Sequence, residues 1–340
     1  MQATDQIFVI GKINSLINYI IYISRLEDLI YAGTRWLVRN WAATRGPISM
    51  GVENKMKTGA DFVLLIMCAD RKGIVAAVAN SIASQDCNIV ESSQYSDEST
   101  SRFFMRISVS CAAETTIESF RAAFLPVATA FHLEWSLHDL RKKLRAMIMV
   151  SQGGHCLNDL LYRTSTNRLP MEVTSVVSNH LTWQRRAEHE GVAFHHLPIT
   201  PENKLEQEAK LLAMVEEQQV DLIILARYMQ VLSDQLCRKL DGRVINIHHS
   251  FLPGFKGAKP YHRAHERGVK MVGATAHYVT ADLDEGPIIT QDVSIVDHAD
   301  TVDDLIAQGQ DTESRVLARA VKLHLEHRVM LNGNRTIVFK

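Results

Sequence analysis

The sequence predicts an α/β protein built of two domains, and three observations carry that expectation. With 340 residues, 46% of them hydrophobic and 22% charged, the chain can bury a large core and exceeds a typical domain of about 100–150 residues. Residues 61–137 then alternate short apolar runs with helical stripes in the order strand, helix, strand, strand, helix, strand. From Ala146 onward, apolar runs again alternate with helical patterns, the arrangement of a mostly parallel sheet with helices on both faces.

Composition narrows the partners. Thirty-seven Lys plus Arg against 38 Asp plus Glu leave a net charge of −1, which supplies no broad field for gripping a phosphate backbone, so nucleic acid is not expected. The five cysteines are odd in number, scattered, and never form a C-x-x-C pair; neither a disulfide framework nor a zinc knuckle is expected, and a reducing, cytoplasmic setting fits. Near the amino end, Ile13–Ser24 is uncharged but far shorter than the roughly 20 residues that cross a bilayer, so no membrane association is expected. The following Arg25-Leu26-Glu27-Asp28 lacks a small-residue cleavage site. Residues 1–60 therefore read as an extension, disordered or upstream of the functional start, with Met50 or Met56 opening the folded protein.

In the smaller domain, residues 61–138, Phe62–Met67 is a strand and Cys68–Gly73 a turn. Ile74, Ala77, Val78 and Ile82 mark a helix, and Asn88–Tyr95 a second strand. Phe103, Met105, Ile107 and Val109 alternate as a third strand, and Ile117, Phe120 and Phe124 form a second helical stripe. Phe131, Leu133, Trp135 and Leu137 alternate as a closing strand. The order βαββαβ is ferredoxin-like. The string Asp70-Arg71-Lys72-Gly73-Ile74, with Asn88-Ile89 after the helix, resembles the ACT domain. That resemblance implies a small amino-acid effector held by Gly73 and Asn88, and side-by-side pairing of sheets into a homo-oligomer. A glycine at a helix start lets backbone amides and the helix dipole face a carboxylate. Residues 139–145 are polar and basic, and read as a linker.

In the larger domain, residues 146–340, strands are expected at Met147–Val150, Val173–Val177, Phe194–Leu197, Leu222–Leu225 and Val244–Ile247. A crossover helix spans Thr200–Gln219, capped by Thr200, with Leu205, Ala209, Leu212 and Val215 on its inner face. Ligands of such sheets sit beyond the carboxyl ends of the strands, which points to the loops after Val150, Leu225 and Ile247. In Asn246-Ile247-His248 the amide and the imidazole project to one face of a strand, a pairing suited to acyl chemistry: one donates to an oxyanion, the other moves a proton. A glycine and proline loop, Phe251–Ala258, follows, then a strand Gly273–Thr280 ending in Leu283-Asp284-Glu285-Gly286-Pro287.

This set, in order and with His248 and Asp284 36 residues apart, resembles the folate-dependent formyltransferase family. The amino-terminal ACT-like module and the strings His155–Leu160, Ala226–Gln230 and Asn246–Tyr261 look like its deformylase branch. The resemblance implies a Rossmann-like catalytic domain with Asn246, His248 and Asp284 as the catalytic trio and water as formyl acceptor. It also implies a pterin slot between Arg227, Met229, Gln230, Val231 and Leu232 on one loop and Val279, Thr280, Ala281 and Asp282 on another. The substrate implied is 10-formyltetrahydrofolate, with no cofactor and no metal; glycine and methionine are the implied effectors. Family members that act on glycinamide ribonucleotide cradle its phosphate with a Ser-Asn pair after the first strand; here that position reads His155-Cys156. The alternatives are a phosphoribosylglycinamide formyltransferase and a catalytically inactive amino-acid sensor. Cys156 reads as a buried thiol, and His262 and His265 lack a carboxylate or thiol to complete a metal site.

Overall fold

A computed structural model describes residues 59–252 and 260–340. The reading of an amino-terminal extension, and the glycine and proline loop at 253–259, fall almost wholly outside the described residues.

The first domain comprises β1 (Phe62–Ala69), α1 (Ile74–Ala83), β2 (Asn88–Asp97), β3 (Arg102–Ser110), α2 (Ile117–Phe131) and β4 (Glu134–Asp139), with the sheet ordered β2-β3-β1-β4. Strand periodicity places Phe62, Leu64 and Ile66 on one face. There they meet Ile74, Val78 and Ile82 of α1 and Phe120 and Phe124 of α2. Helix α2 starts at a capping box in which Thr116 and Ser119 satisfy each other's backbone N–H. Phe131 is not on the closing strand, as the alternation suggested. It continues the stripe of Phe124 and Ala128 to the end of α2, and His132 turns the chain at φ 50°.

Cys87 and Cys111 form a disulfide, contrary to the expectation of free thiols. The register sets Asn88 opposite Ser110, so the residues just outside that pair face each other with Cα atoms 4.2 Å apart. Spacing along the chain carries no trace of such a cross-strand neighbour.

Only residues 140–143 separate β4 from β5 (Leu144–Val150). Arg145, read as linker, is already in β5, its backbone N–H donating to Asp221 at 2.8 Å and its guanidinium pairing with Glu172. After β5 come α3 (His155–Ser165), β6 (Met171–Ser178), α4 (Gln184–His189), β7 (Ala193–His196), α5 (Lys204–Glu217), β8 (Leu222–Leu225), α6 (Asp234–Lys239) and β9 (Val244–His248). The second half holds α7 (Pro260–Arg267), β10 (Met271–Tyr278), β11 (Ile288–Ile295), α8 (Val302–Leu325), β12 (Val329–Asn332) and β13 (Arg335–Val338). The seven-stranded sheet runs β11-β10-β9-β8-β5-β6-β7; β5 to β9 are parallel, and β10 and β11 form an antiparallel edge. Strand order reverses between β5 and β8, so the loops leaving their carboxyl ends diverge and open a crevice.

Helix α5 begins at Lys204 rather than Thr200. Thr200 and Asn203 exchange side-chain-to-backbone hydrogen bonds in the turn before it. Its buried face is Gln207, Glu208, Leu211 and Val215, while Leu205 is 70% exposed. The rotation follows from Glu208, whose carboxylate accepts the Ser233 N–H at the start of α6 at 2.8 Å. Helix α8, with 24 residues and a Thr301–Asp304 capping box, packs on β10 and β11 and on α3. Beyond it the β12–β13 hairpin covers the outer face of the first domain's sheet, where Met330 and Phe339 meet Phe104. Among the described residues no helix is long and apolar enough to cross a membrane.

Candidate active site

Strand β9 sends Ile245 and Ile247 into the core and turns Asn246 and His248 to the opposite face. The neighbouring β10 places His277 directly opposite Asn246. The Asn246 amide donates to His277 Nε2 at 3.3 Å, and His277 Nδ1 donates to the Tyr278 carbonyl at 2.8 Å. That bond assigns the proton of a neutral His277 to Nδ1 and leaves Nε2 to orient the amide.

The chain after β10 folds back over this face. Tyr278 N–H donates to the Pro287 carbonyl at 2.9 Å, closing the loop. Gly286 is pressed so close that a Cβ there would lie 1.8 Å from the Tyr278 oxygen. Within this loop Asp284 adopts a left-handed backbone, φ 58°. Its Oδ2 lies 3.2 Å from His248 Nδ1 and its Oδ1 3.7 Å from His277 Nε2. The hydrogen bond from His248, with the His277 ring beside it, outweighs partial burial and holds the Asp284 carboxyl far below the usual carboxylate range. With Nδ1 turned to Asp284, His248 Nε2 is buried and has no hydrogen-bond partner among the described residues.

All three members of the expected trio, Asn246, His248 and Asp284, line one cleft of about 290 Å³. The same cleft is lined by all nine residues of the expected slot, Arg227, Met229, Gln230, Val231, Leu232, Val279, Thr280, Ala281 and Asp282. Met229 and Val231 are more than half exposed, and Leu283 joins them as a third exposed apolar side chain; Leu232 is buried. Apolar side chains kept in the open around a concavity suit the wall of a flat, partly apolar ligand. The first loop is held by Ser151, whose hydroxyl accepts the Met229 N–H at 2.9 Å and donates to Asn179 at 2.7 Å. The Ser151 N–H donates to the Arg227 carbonyl at 3.2 Å.

Sequence reasoning missed several residues here. His277 gave no signal beyond being a histidine inside an apolar strand. Glu313, on α8 and 1% exposed, accepts from His155 Nε2 and Tyr261 Oη, each at 2.7 Å, and lies 3.3 Å from Arg227 Nε. Burial opposes its charge, yet these donors and the Arg227 cation hold its carboxyl below the ordinary range. His155, Cys156 and Glu313 bring potential metal-ligand atoms within 4.8 Å of one another. The donor chemistry does not favour a cation: Arg227 already supplies positive charge, and burial pushes the Cys156 thiol far above its ordinary value. His262 and His265 contribute to no such group among the described residues.

The structure does not bring Gly73 and Asn88 together within one protomer. Gly73 opens α1 at φ 95° beside the end of β1, where Ala69 pairs with Arg102. Asn88 pairs with Ser110 at the other end of β3, roughly 26 Å away along an extended strand. Helix α1, about 15 Å long, and the turn after it carry the chain from one to the other.

The fold and this cleft define a formyltransferase-type catalytic domain joined to an ACT module. Residues 144–321 match the formyl transferase family model and residues 61–138 the ACT domain model. The chain is 48% identical over 279 residues to the formyltetrahydrofolate deformylase of Corynebacterium sp. (strain P-1), covering 82% of this chain and 98% of that one. The crystal structure of a formyltetrahydrofolate deformylase from Burkholderia mallei ATCC 23344 superposes with a TM-score of 0.79 at 47% identity. It covers 83% of this chain and 100% of its own. Glycinamide ribonucleotide transformylase 1 from Symbiobacterium toebii matches 58% of this chain and 95% of its own, with a TM-score of 0.55 and 32% identity. The chain belongs to the formyltetrahydrofolate deformylase family.

Proposed function

We propose that this chain hydrolyses 10-formyltetrahydrofolate to formate and tetrahydrofolate, with Asn246, His248 and Asp284 as the catalytic trio. The observation that carries the reading is the 3.2 Å contact of His248 with Asp284, in the same cleft as Asn246. The pterin lies between the loops 227–232 and 279–282, its polar edge meeting their backbone groups and its faces the apolar side chains.

The water oxygen attacks the formyl carbon as the Asp284–His248 pair takes its proton. The Asn246 amide N–H that does not face His277 and the protonated imidazole stabilise the oxyanion. The tetrahedral intermediate collapses as the bond from carbon to folate nitrogen breaks, and the proton passes to that nitrogen. For a phosphorylated amine in place of water, the α3 amino terminus is the natural anion site. His155 and the buried Glu313 carboxylate stand there instead, which disfavours that rival.

The test is formate release from 10-formyltetrahydrofolate with no amine present. Asp284→Asn is expected to keep folate affinity, read by fluorescence titration, and to lose roughly 10²- to 10⁴-fold in turnover. No formate from the wild-type chain, or near-native turnover in the variant, overturns the reading. In this reading the product formate supplies purine synthesis in the cytoplasm, and the ACT module binds glycine or methionine. Because Gly73 and Asn88 lie far apart in one protomer, an effector contacting both needs two protomers, which joins effector binding to homo-oligomer formation. Gel filtration with light scattering, with and without each amino acid, checks both.

A further inference from the structure

The Glu313 cluster reaches the catalytic histidine through a chain of contacts. Arg227, which faces Glu313 with Nε, uses another guanidinium nitrogen to donate to His249 Nδ1 at 2.7 Å. A guanidinium can only donate, so His249 Nδ1 carries no proton and the ring is neutral with its hydrogen on Nε2. Burial, and then the Arg227 charge, drive the His249 pKa down to about 4. That neutral ring stacks on His248, centroids 4.8 Å apart and planes 22° from parallel, and His248 meets Asp284 on its other side. Arg227 itself sits at φ 64°, a conformation unfavourable for a long side chain.

We infer that Glu313 is a positioning residue: through Arg227 it fixes His249 as a neutral wall against which the His248 ring is held in line with Asp284. The inference rests on the hydrolytic reading above. Glu313 touches none of the reacting atoms and acts only through Arg227. Its charge also counts, because without it the Arg227 cation stands uncompensated beside the two stacked imidazoles. Asp284 and His249 face His248, and His277 meets Asp284 from the neighbouring strand. The charged and titratable groups facing Glu313 are His155, Cys156, Tyr261 and Arg227.

The experiment uses the full chain with 10-formyltetrahydrofolate and compares Glu313→Gln, Arg227→Lys and the double variant. Glu313→Gln is expected to lower kcat roughly 10- to 100-fold with KM changed less than about threefold, since misalignment rather than binding is lost. The acid limb of its kcat profile should move to lower pH, because the freed cation disfavours any further positive charge in the adjoining cleft. Arg227→Lys keeps the charge but cannot span Glu313 and His249 together, so its kcat should fall comparably. The double variant should be little worse than either single one. Unchanged kcat and pH profile in Glu313→Gln, or multiplicative losses in the double variant, overturn the inference. If Glu313→Gln fails to fold, retention of kcat by Arg227→Lys overturns it and loss supports it. A wild-type chain that releases no formate overturns the hydrolytic reading instead.

Discussion

Gly286 shows how one residue without a side chain places the carboxylate of another in the cleft. Its Cα lies against the carbonyl of Tyr278, the same carbonyl that fixes the His277 ring. An added methyl group would have to push either the loop or that carbonyl away. Gly286→Ala should therefore cost roughly 100-fold in kcat through displacement of Asp284, with a lowered melting temperature. Steady-state kinetics and thermal unfolding of the purified variant check this, and native turnover would show that the loop absorbs the methyl group without moving the carboxylate. Asp284 is strained in the same sense, since its left-handed backbone is one that aspartate tolerates better than most residues. The Leu-Asp-x-Gly-Pro string was legible in the sequence. The reason for its glycine was not, because Tyr278 lies on the other limb of the loop.

At the level of elements, the cleft exists because three strand ends are tied together. Ser151, after β5, receives the Met229 N–H from the loop after β8 and donates to Asn179 after β6. It is 2% exposed, and removal of its hydroxyl deletes two hydrogen bonds that tie three loops, each with a net worth of about 1 kcal/mol. Ser151→Ala should loosen the loop that lines one wall of the cleft. A rise of roughly tenfold in KM, with a smaller change in kcat, is the expected outcome in a substrate titration. Pattern reasoning placed the parallel strands correctly because each is a short apolar run. It misplaced the inner face of α5 because that face carries Gln207 and Glu208, and the partner that makes Glu208 an inside residue, the Ser233 N–H, lies on another element.

Across the whole molecule, the two domains meet at the carboxyl end of α8. Arg106 of β3, 3% exposed, donates to the carbonyls of Glu326 and His327 at 3.0 Å each and pairs with Glu91, which also holds Arg328. A cation placed on the last carbonyls of a long helix suits its dipole. Histidines crowd the same junction: His138 stacks on His327 at 3.8 Å, and His324 faces the Tyr278 hydroxyl. Burial, reinforced by neighbouring positive charge, pulls His324 down from 6.5 to about 4 and His327 from 6.5 to about 3. Both are therefore neutral in the folded chain where the unfolded chain takes up protons. Their contribution to stability is complete above the unfolded value of 6.5 and is lost as pH falls from there toward about 4 and about 3. Melting temperatures should be level above neutrality and decline through that window. His327→Asn, which keeps a residue tolerant of the local φ of 50°, should flatten part of the decline; an identical pH profile in the variant would remove His327 as a cause.

Periodicity and short motifs record what neighbours along the chain do to one another. That is why the βαββαβ order, the parallel strands, the convergence of Asn246 with His248 and the Asp284 loop could all be read before any coordinates. Register, crossings and domain contacts join residues far apart in sequence, and their physical consequences appear only once the sheets have closed. The Cys87–Cys111 bridge, His277 beside Asn246, Glu313 behind Arg227 and the β12–β13 hairpin over Phe104 belong to that second kind. So does the separation of Gly73 from Asn88, which the register of β1 and β2 on β3 imposes. A buried charge or imidazole is decided by what surrounds it, and its surroundings come from every part of the fold at once.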